Sequence, residues 1–149
     1  MKNILKKPNL FLDDIRFPHD VTWGNIPHIY QKLEWDIVRN YDEFVSYIRE
    51  NGLPKGYISF DHDIHESQYT PKEYWNDFTR SKEYQLANPS KEKTGLDCAK
   101  FLVEYCLYHG LDLPNCKVHS MNPVGRENII SELNSYYKRL KFQKSNYKL

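Results

Sequence analysis

A series of short apolar runs, separated by helical patterns, most constrains the fold of this chain. Each run is too short for a helix and is typical of a buried strand. The predicted strands are 9–12, 35–38, 56–60 and 117–120. Helical patterns follow from Asp42, over 96–108 and from Asn122-Pro123, where Asn favours the N-cap and Pro the first turn. This alternation predicts an α/β fold with a mainly parallel sheet of about four to five strands covered by helices.

The rest of the pattern predicts one domain over residues 1–149. Residues 16–27 carry two prolines and a glycine and are predicted to be loop. Residues 64–93 are polar and aromatic, without a clear period, and are interpreted as an insertion that is partly helical between Pro71 and Leu86. The predicted buried face of the last helix consists of Ile129, Ile130, Leu133, Tyr137 and Leu140.

Composition excludes several classes of protein. The net charge of +1 gives no basic field for duplex nucleic acid, and no apolar run approaches the 18 residues of a membrane span. Three cysteines without CxxC spacing argue against a disulfide framework and a structural zinc site. We expect a cytoplasmic protein without a membrane partner. The oligomeric state stays open, with a homodimer as one option.

Three predicted strands end in residues suited to chemistry. Parallel strands bring their carboxyl ends to one edge, where ligands bind in open α/β sheets. Crowded carboxylates there must be protonated, paired or neutralised by a cation, and oxygen ligands suit Mg²⁺ or Mn²⁺. The candidate metal ligands are Asp13, Asp14, Asp61 and Asp63. The candidate catalytic residues are Asp61, His62 and His119, and either histidine would act as general acid or base.

Two predicted helix N-termini at this edge, at Thr94-Gly95 and Asn122-Pro123, offer free backbone N–H groups to a phosphate. Lys93 and Arg126 are the cations placed to meet phosphate oxygens, although surface salt bridging is the commoner role of such residues. The candidate phosphate-binding residues are Lys93, Thr94, Ser120, Asn122 and Arg126. An acidic pair after a strand is also often a turn or a cap.

These strand ends follow the layout of response-regulator receiver domains. The strings LFLDDIR at 10–16, SFDHD at 59–63, KTGLDCA at 93–99 and VHSMNPVG at 118–125 together resemble the cyclic-phosphate-processing receiver-like family of bacteria and phages. The resemblance spans about residues 9–142 and implies a receiver-like (flavodoxin-like) three-layer fold in a bacterial or phage-infected cell. It implies metal-binding roles for Asp13 and Asp14, the phosphoacceptor position for Asp61, and a phosphoryl contact for Ser120.

The chain also departs from ordinary receivers. No fifth strand ending in a lysine follows the helix at Asn122, and the histidines at 62 and 119 are additions. A missing switch lysine removes the signalling relay, whereas extra acids and histidines add acid–base capacity. We therefore expect a metal-dependent phosphoesterase for a cyclic phosphate, either an RNA 2′,3′-cyclic end or a cyclic nucleotide. The alternatives are a phosphoacceptor module, a nucleotide-sequestering protein with 64–93 as its lid, and a scaffold with a solvated acidic edge.

Overall fold

The computed structural model describes residues 6–146. Four parallel strands form one sheet in the order β2-β1-β3-β4. The strands are β1 (Asn9–Leu12), β2 (Trp35–Val38), β3 (Tyr57–Phe60) and β4 (Asn115–Val118). The α-helices are α1 (His28–Lys32), α2 (Tyr41–Asn51), α3 (Phe78–Ala87), α4 (Gly95–His109) and α5 (Pro123–Asn146). Short 3-10 helices span Pro18–Asp20, Glu66–Gln68 and Lys72–Tyr74.

The sheet has a core on each face because successive side chains of a strand point to opposite sides. Leu10 and Leu12 of β1 pack into the larger cluster, which also holds buried residues of α2, α4 and α5. Phe11 faces the other way and packs with Val21, residues of α1 and Trp35. These two apolar clusters give the predicted three-layer α/β arrangement and leave the strand ends at the rim of the sheet.

Helices α2 and α4 begin where a side-chain cap satisfies the first backbone N–H groups. The Asn40 side chain accepts a hydrogen bond from the Glu43 N–H, so α2 begins at Tyr41, one residue before the predicted start. Thr94 and Asp97 form the predicted capping box of α4. That cap anchors the chain directly after the 64–93 segment. Within residues 6–146, every helix is too short or too polar to cross a membrane.

Most predicted elements are confirmed, with three corrections. The strand predicted at 117–120 runs from Asn115 to Val118, because these four residues pair in register with the four residues of β3. The five-residue helix α1 was not predicted, since it has no side-chain cap. On α5, Ile130 and Tyr137 are 40% and 57% exposed, so the prediction of a buried position is wrong for both.

The absence of a fifth strand is confirmed for residues 6–146, where β4 forms the edge of the sheet. Its outer side therefore lacks a strand partner among these residues. The 64–93 segment contains two of the 3-10 helices and α3, which fits the prediction of partial helicity between Pro71 and Leu86.

Candidate metal and phosphate site

The carboxyl ends of three strands place Asp13, Asp61 and His119 side by side. Each backbone N–H of these residues continues the ladder one step past its strand, with Asp13 bonding to the Val38 carbonyl (3.2 Å), Asp61 to the Leu12 carbonyl (3.0 Å) and His119 to the Phe60 carbonyl (2.9 Å). The three side chains are buried, and one ligand atom from each lies within 4.8 Å of the others. The sheet itself thus fixes the spacing of this triad.

Asp13 is a buried carboxylate held by several donors. Its Oδ1 accepts hydrogen bonds from the backbone N–H groups of Ile15 (3.1 Å) and Arg16 (2.9 Å), and its Oδ2 lies 2.9 Å from His119 Nε2. Burial alone would raise the pKa of Asp13, but the bonds from His119 and Arg16 outweigh it and lower this pKa. Asp13 is therefore ionised and oriented at neutral pH.

The surroundings of Asp61 raise its pKa, whereas those of Asp13 lower the pKa of Asp13. Asp61 is 4% exposed, and burial first, then the charges of Asp13 and Asp63, raise its pKa well above the ordinary value. The backbone N–H of His62 donates to its Oδ1 at 2.8 Å. A carboxylate this buried beside another needs a compensating cation or a proton. Two carboxylates and an imidazole are a donor set that fits a divalent ion.

His119 is buried, and burial lowers its pKa, which favours the neutral imidazole. Its ring stacks on Phe11 with centroids 4.4 Å apart and planes at 8°. Its Nδ1 lies 2.7 Å from the hydroxyl of Ser59, and its backbone carbonyl accepts from the indole N–H of Trp23 at 2.9 Å. Both ring nitrogens are engaged, so His119 cannot exchange protons freely with solvent.

A second group of polar residues lies beside the triad. His62 Nδ1 is 2.7 Å from Asp63 Oδ1, and the Asn122 amide donates to the same oxygen at 3.1 Å. Asn122 is held in turn, because its Oδ1 accepts from the Gly125 N–H (3.0 Å) and the Gln85 side chain (3.1 Å). Asp63 thus orients the imidazole of His62, which keeps 11% of its side chain exposed.

A cavity of about 260 Å³ opens over this edge. Asp61 and Asp63 form part of its wall, together with the cationic side chains of Arg16 and Lys72. The 64–93 segment contributes Tyr69, whose hydroxyl donates to the carboxylate of Asp14. The other polar and aromatic lining residues include Asp14, Thr70, Trp75, Ser120 and Asn122. The cavity combines acids suited to a cation with cations suited to an anion.

A match to a family model shows which protein family the chain belongs to. A family model described as the cyclic-phosphate processing receiver domain matches residues 8–135, which include all four strands and the first half of α5. The chain belongs to this family. No curated protein and no solved structure matches the chain. The predicted family and fold class of this receiver domain are therefore confirmed.

The receiver domain brings most, though not all, of the predicted site residues together. The triad joins Asp13, Asp61 and His119. Four other predicted residues line the adjoining cavity, namely Asp14, Asp63, Ser120 and Asn122. His62 contacts two of them, Asp63 and Asn122.

Three predicted phosphate-binding residues are not among the described residues that line the cavity. Lys93 Nζ lies over the ring of Tyr41, at 5.2 Å from its centroid, and the Thr94 side chain caps α4. Arg126, in the first turn of α5, lines a different cavity next to β4. Their positions in the sequence suggested proximity, but the Lys93 side chain lies against α2, that of Thr94 caps α4, and Arg126 lines another cavity.

Sequence reasoning missed four residues of the site. Arg16 follows Asp13 by three residues. Its backbone N–H donates to Asp13 Oδ1, and a guanidinium nitrogen lies 3.9 Å from Asp13 Oδ2. Lys72 sits in the insertion, where no pattern marks it. Tyr30 and Ser59 form a buried hydrogen-bonded pair under His119. Ser59 carried a signal, since it is a hydroxyl inside an otherwise apolar strand.

Proposed function

We propose that this receiver domain is a metal-dependent phosphoesterase that hydrolyses a cyclic phosphate. The observation that carries the proposal is the buried triad of Asp13, Asp61 and His119, of which Asp61 lines the cavity that also holds Arg16 and Lys72. Burying two carboxylates together is costly, and a site for a divalent cation explains the arrangement. The family description, which names cyclic-phosphate processing, supports the same chemistry.

Asp13, Asp61 and the imidazole of His119 would hold the ion, with Mg²⁺ or Mn²⁺ as the proposed metal. Once bound, the ion supplies Lewis-acid stabilisation of charge on the phosphoryl oxygens. Asp14 and Asp63 lie next to this set in the cavity wall, and each already accepts a hydrogen bond, from Tyr69 and from Asn122 respectively. We assign them to the surroundings of the ion rather than to the triad.

The substrate phosphate would bind in the cavity between the acids and the cations. Arg16 and Lys72 would bind its non-bridging oxygens, because they are the cationic side chains among the described residues of the cavity wall. Ser120 and Asn122, both nearly fully buried, would orient the phosphate with fixed hydrogen-bonding groups. Tyr69 and Trp75 offer aromatic surface to the rest of a nucleotide or RNA end.

His62 is the proposed acid–base residue. Asp63 accepts from Nδ1–H of His62, which leaves Nε2 to take or give a proton. In the reaction, one water adds to phosphorus and one P–O bond of the ring breaks. The products are a phosphomonoester and a free hydroxyl, and the proton lost by the water is returned to the departing oxygen. His119 is too enclosed for this role and serves as a ligand.

The test compares Asp61→Asn with a matched control, Asp42→Asn, which changes an exposed aspartate in the first turn of α2. Each protein is incubated with 2′,3′-cyclic AMP or 3′,5′-cyclic AMP, with Mg²⁺, Mn²⁺ or a chelator, and products are separated by chromatography. We expect metal-dependent turnover in the parent and the control, and a loss of at least about a hundredfold in Asp61→Asn. Undiminished turnover by Asp61→Asn contradicts the proposal. A stable phosphoryl adduct on Asp61 after treatment with a small phosphodonor, without hydrolysis, supports the phosphoacceptor alternative.

A further inference from the structure

A continuous chain of buried hydrogen bonds runs from α1 through the sheet to the acidic triad. The Tyr30 hydroxyl lies 2.6 Å from Ser59 Oγ, Ser59 Oγ lies 2.7 Å from His119 Nδ1, and His119 Nε2 lies 2.9 Å from Asp13 Oδ2. All four residues are less than 7% exposed. A chain with so little access to water must satisfy its donors and acceptors internally.

The charge state of Asp13 sets the direction of this chain when no ion is bound. An ionised Asp13 can only accept, so His119 donates to it from Nε2–H. The Nδ1 lone pair of His119 then accepts from the Ser59 hydroxyl, and Ser59 Oγ accepts from the Tyr30 hydroxyl. Every hydrogen in the chain therefore points from Tyr30 toward Asp13.

Binding an ion at the triad demands the opposite direction. The ring nitrogen that faces the triad is Nε2, because Nδ1 faces Ser59, and a ligating nitrogen must present its lone pair. The ring proton must then sit on Nδ1 and be donated to Ser59 Oγ. Ser59 in turn has to donate to the Tyr30 oxygen, which turns the Tyr30 hydrogen away from Ser59. Tyr30 and His119 both line a cavity of about 470 Å³ next to β4.

We infer that Tyr30 and Ser59 are positioning residues of the metal site, and that ion binding reverses the direction of the Tyr30–Ser59–His119 hydrogen-bond chain. This inference rests on the proposed metal site and goes beyond it. Tyr30 matters because its hydroxyl oxygen is the partner that can accept from Ser59 once His119 Nδ1 has become a donor. Without the tyrosine oxygen, the ion-free chain keeps the Ser59–His119 bond, whereas the ion-bound chain leaves the Ser59 hydrogen without an acceptor.

The first experiment measures Mn²⁺ affinity by calorimetry for the parent, Tyr30→Phe and Ser59→Ala. The phenylalanine keeps the ring that stacks on Trp35 at 5.3 Å, so the fold should persist, and thermal melting verifies this. Tyr47→Phe is the matched control, because it removes a partly buried tyrosine hydroxyl outside this chain, which bonds to Asp36. We expect Mn²⁺ affinity to fall about tenfold in Tyr30→Phe and ten- to a hundredfold in Ser59→Ala, with no change in the control.

The second experiment reads the position of the ring proton of His119 directly. Nitrogen NMR of histidine-labelled protein distinguishes Nε2–H from Nδ1–H, and the signals of His119 are those missing from His119→Gln. The proton should lie on Nε2 in chelator and on Nδ1 in saturating Mg²⁺. The inference is overturned by the same tautomer in both conditions, by parental Mn²⁺ affinity in Tyr30→Phe, or by a parent that binds no ion. If the ion binds as described but no cyclic phosphate is hydrolysed, the proposed function fails while this inference stands.

Discussion

Asp61→Asn is expected to stabilise the metal-free protein, by an amount that grows with pH. The pKa of Asp61 is raised well above its ordinary value of 3.8 by burial and by the neighbouring carboxylates. At pH values between 3.8 and the raised pKa, Asp61 of the folded protein holds a proton that the unfolded chain has released. The free energy of unfolding of the parent therefore falls as pH rises through this window, by at most about 1.4 kcal/mol per pH unit.

Asparagine has nearly the shape of a protonated aspartate and can accept the same bond from the His62 N–H, but it carries no charge at any pH. Below pH 3.8 the variant and the parent should thus be about equally stable. Above pH 3.8 the free energy of unfolding of the variant should exceed that of the parent by an amount that grows by at most about 1.4 kcal/mol per pH unit. Burial lowers the pKa of His119, which costs stability as pH falls below 6.5. That contribution is common to both proteins and cancels in the difference.

The assay is urea unfolding in chelator, followed by circular dichroism between pH 4 and 7.5, with the free energy of unfolding taken by linear extrapolation. Asp42→Asn is the control and should show a flat difference from the parent. Adding Mn²⁺ at a hundred times its dissociation constant should raise the free energy of unfolding of the parent by about 2.7 kcal/mol, and that of Asp61→Asn by much less. A difference that stays flat or declines with pH refutes the reasoning, since Asp61 would then be ionised in the fold without a cation.

Three further predictions concern packing, substrate binding and thiol reactivity. Gly95→Ala should lower the free energy of unfolding by about 3 kcal/mol or more, because its new methyl group would collide with the backbone carbonyl of Asp61; thermal melting measures this. Lys72→Ala should raise the KM for a cyclic phosphate about tenfold with little change in kcat, whereas Lys82→Ala on the exposed side of α3 should not, and equal kinetics for both variants would remove Lys72 from the site. Burial raises the pKa of Cys106 to about 11 and of Cys116 to about 12, so a thiol reagent at pH 8 should modify the native protein slowly and the urea-unfolded protein at once.

The fold was largely predictable because short apolar runs and helix caps are local signals. The first three strands and the Thr94 cap are marked by neighbouring residues, whereas the exact span of β4 depends on its pairing with β3. The buried face of α5 was only partly predictable. Ile129 and Ile130 are adjacent in sequence, and only the packing against α4 determines that the first is buried and the second exposed.

The acids of the candidate site were predictable for a different reason. Parallel strands share one edge, so residues directly after a strand converge whatever the details of packing. Residues that reach the site from elsewhere follow no such rule. Lys72 depends on the path of the 64–93 segment, and Tyr30 depends on a short helix without a cap signal. Lys93 and Arg126 show the converse, since they lie near the edge in sequence but point away from it.

The central claim is that Asp13, Asp61 and His119 form a divalent-metal site. Crystals grown with Mn²⁺ test it most directly, through anomalous difference density. We expect one peak at the carboxyl edge of the sheet, bound by both carboxylates and by His119 Nε2 at about 2.1 Å. No peak at this edge, or a peak whose ligands exclude Asp61, would contradict the claim.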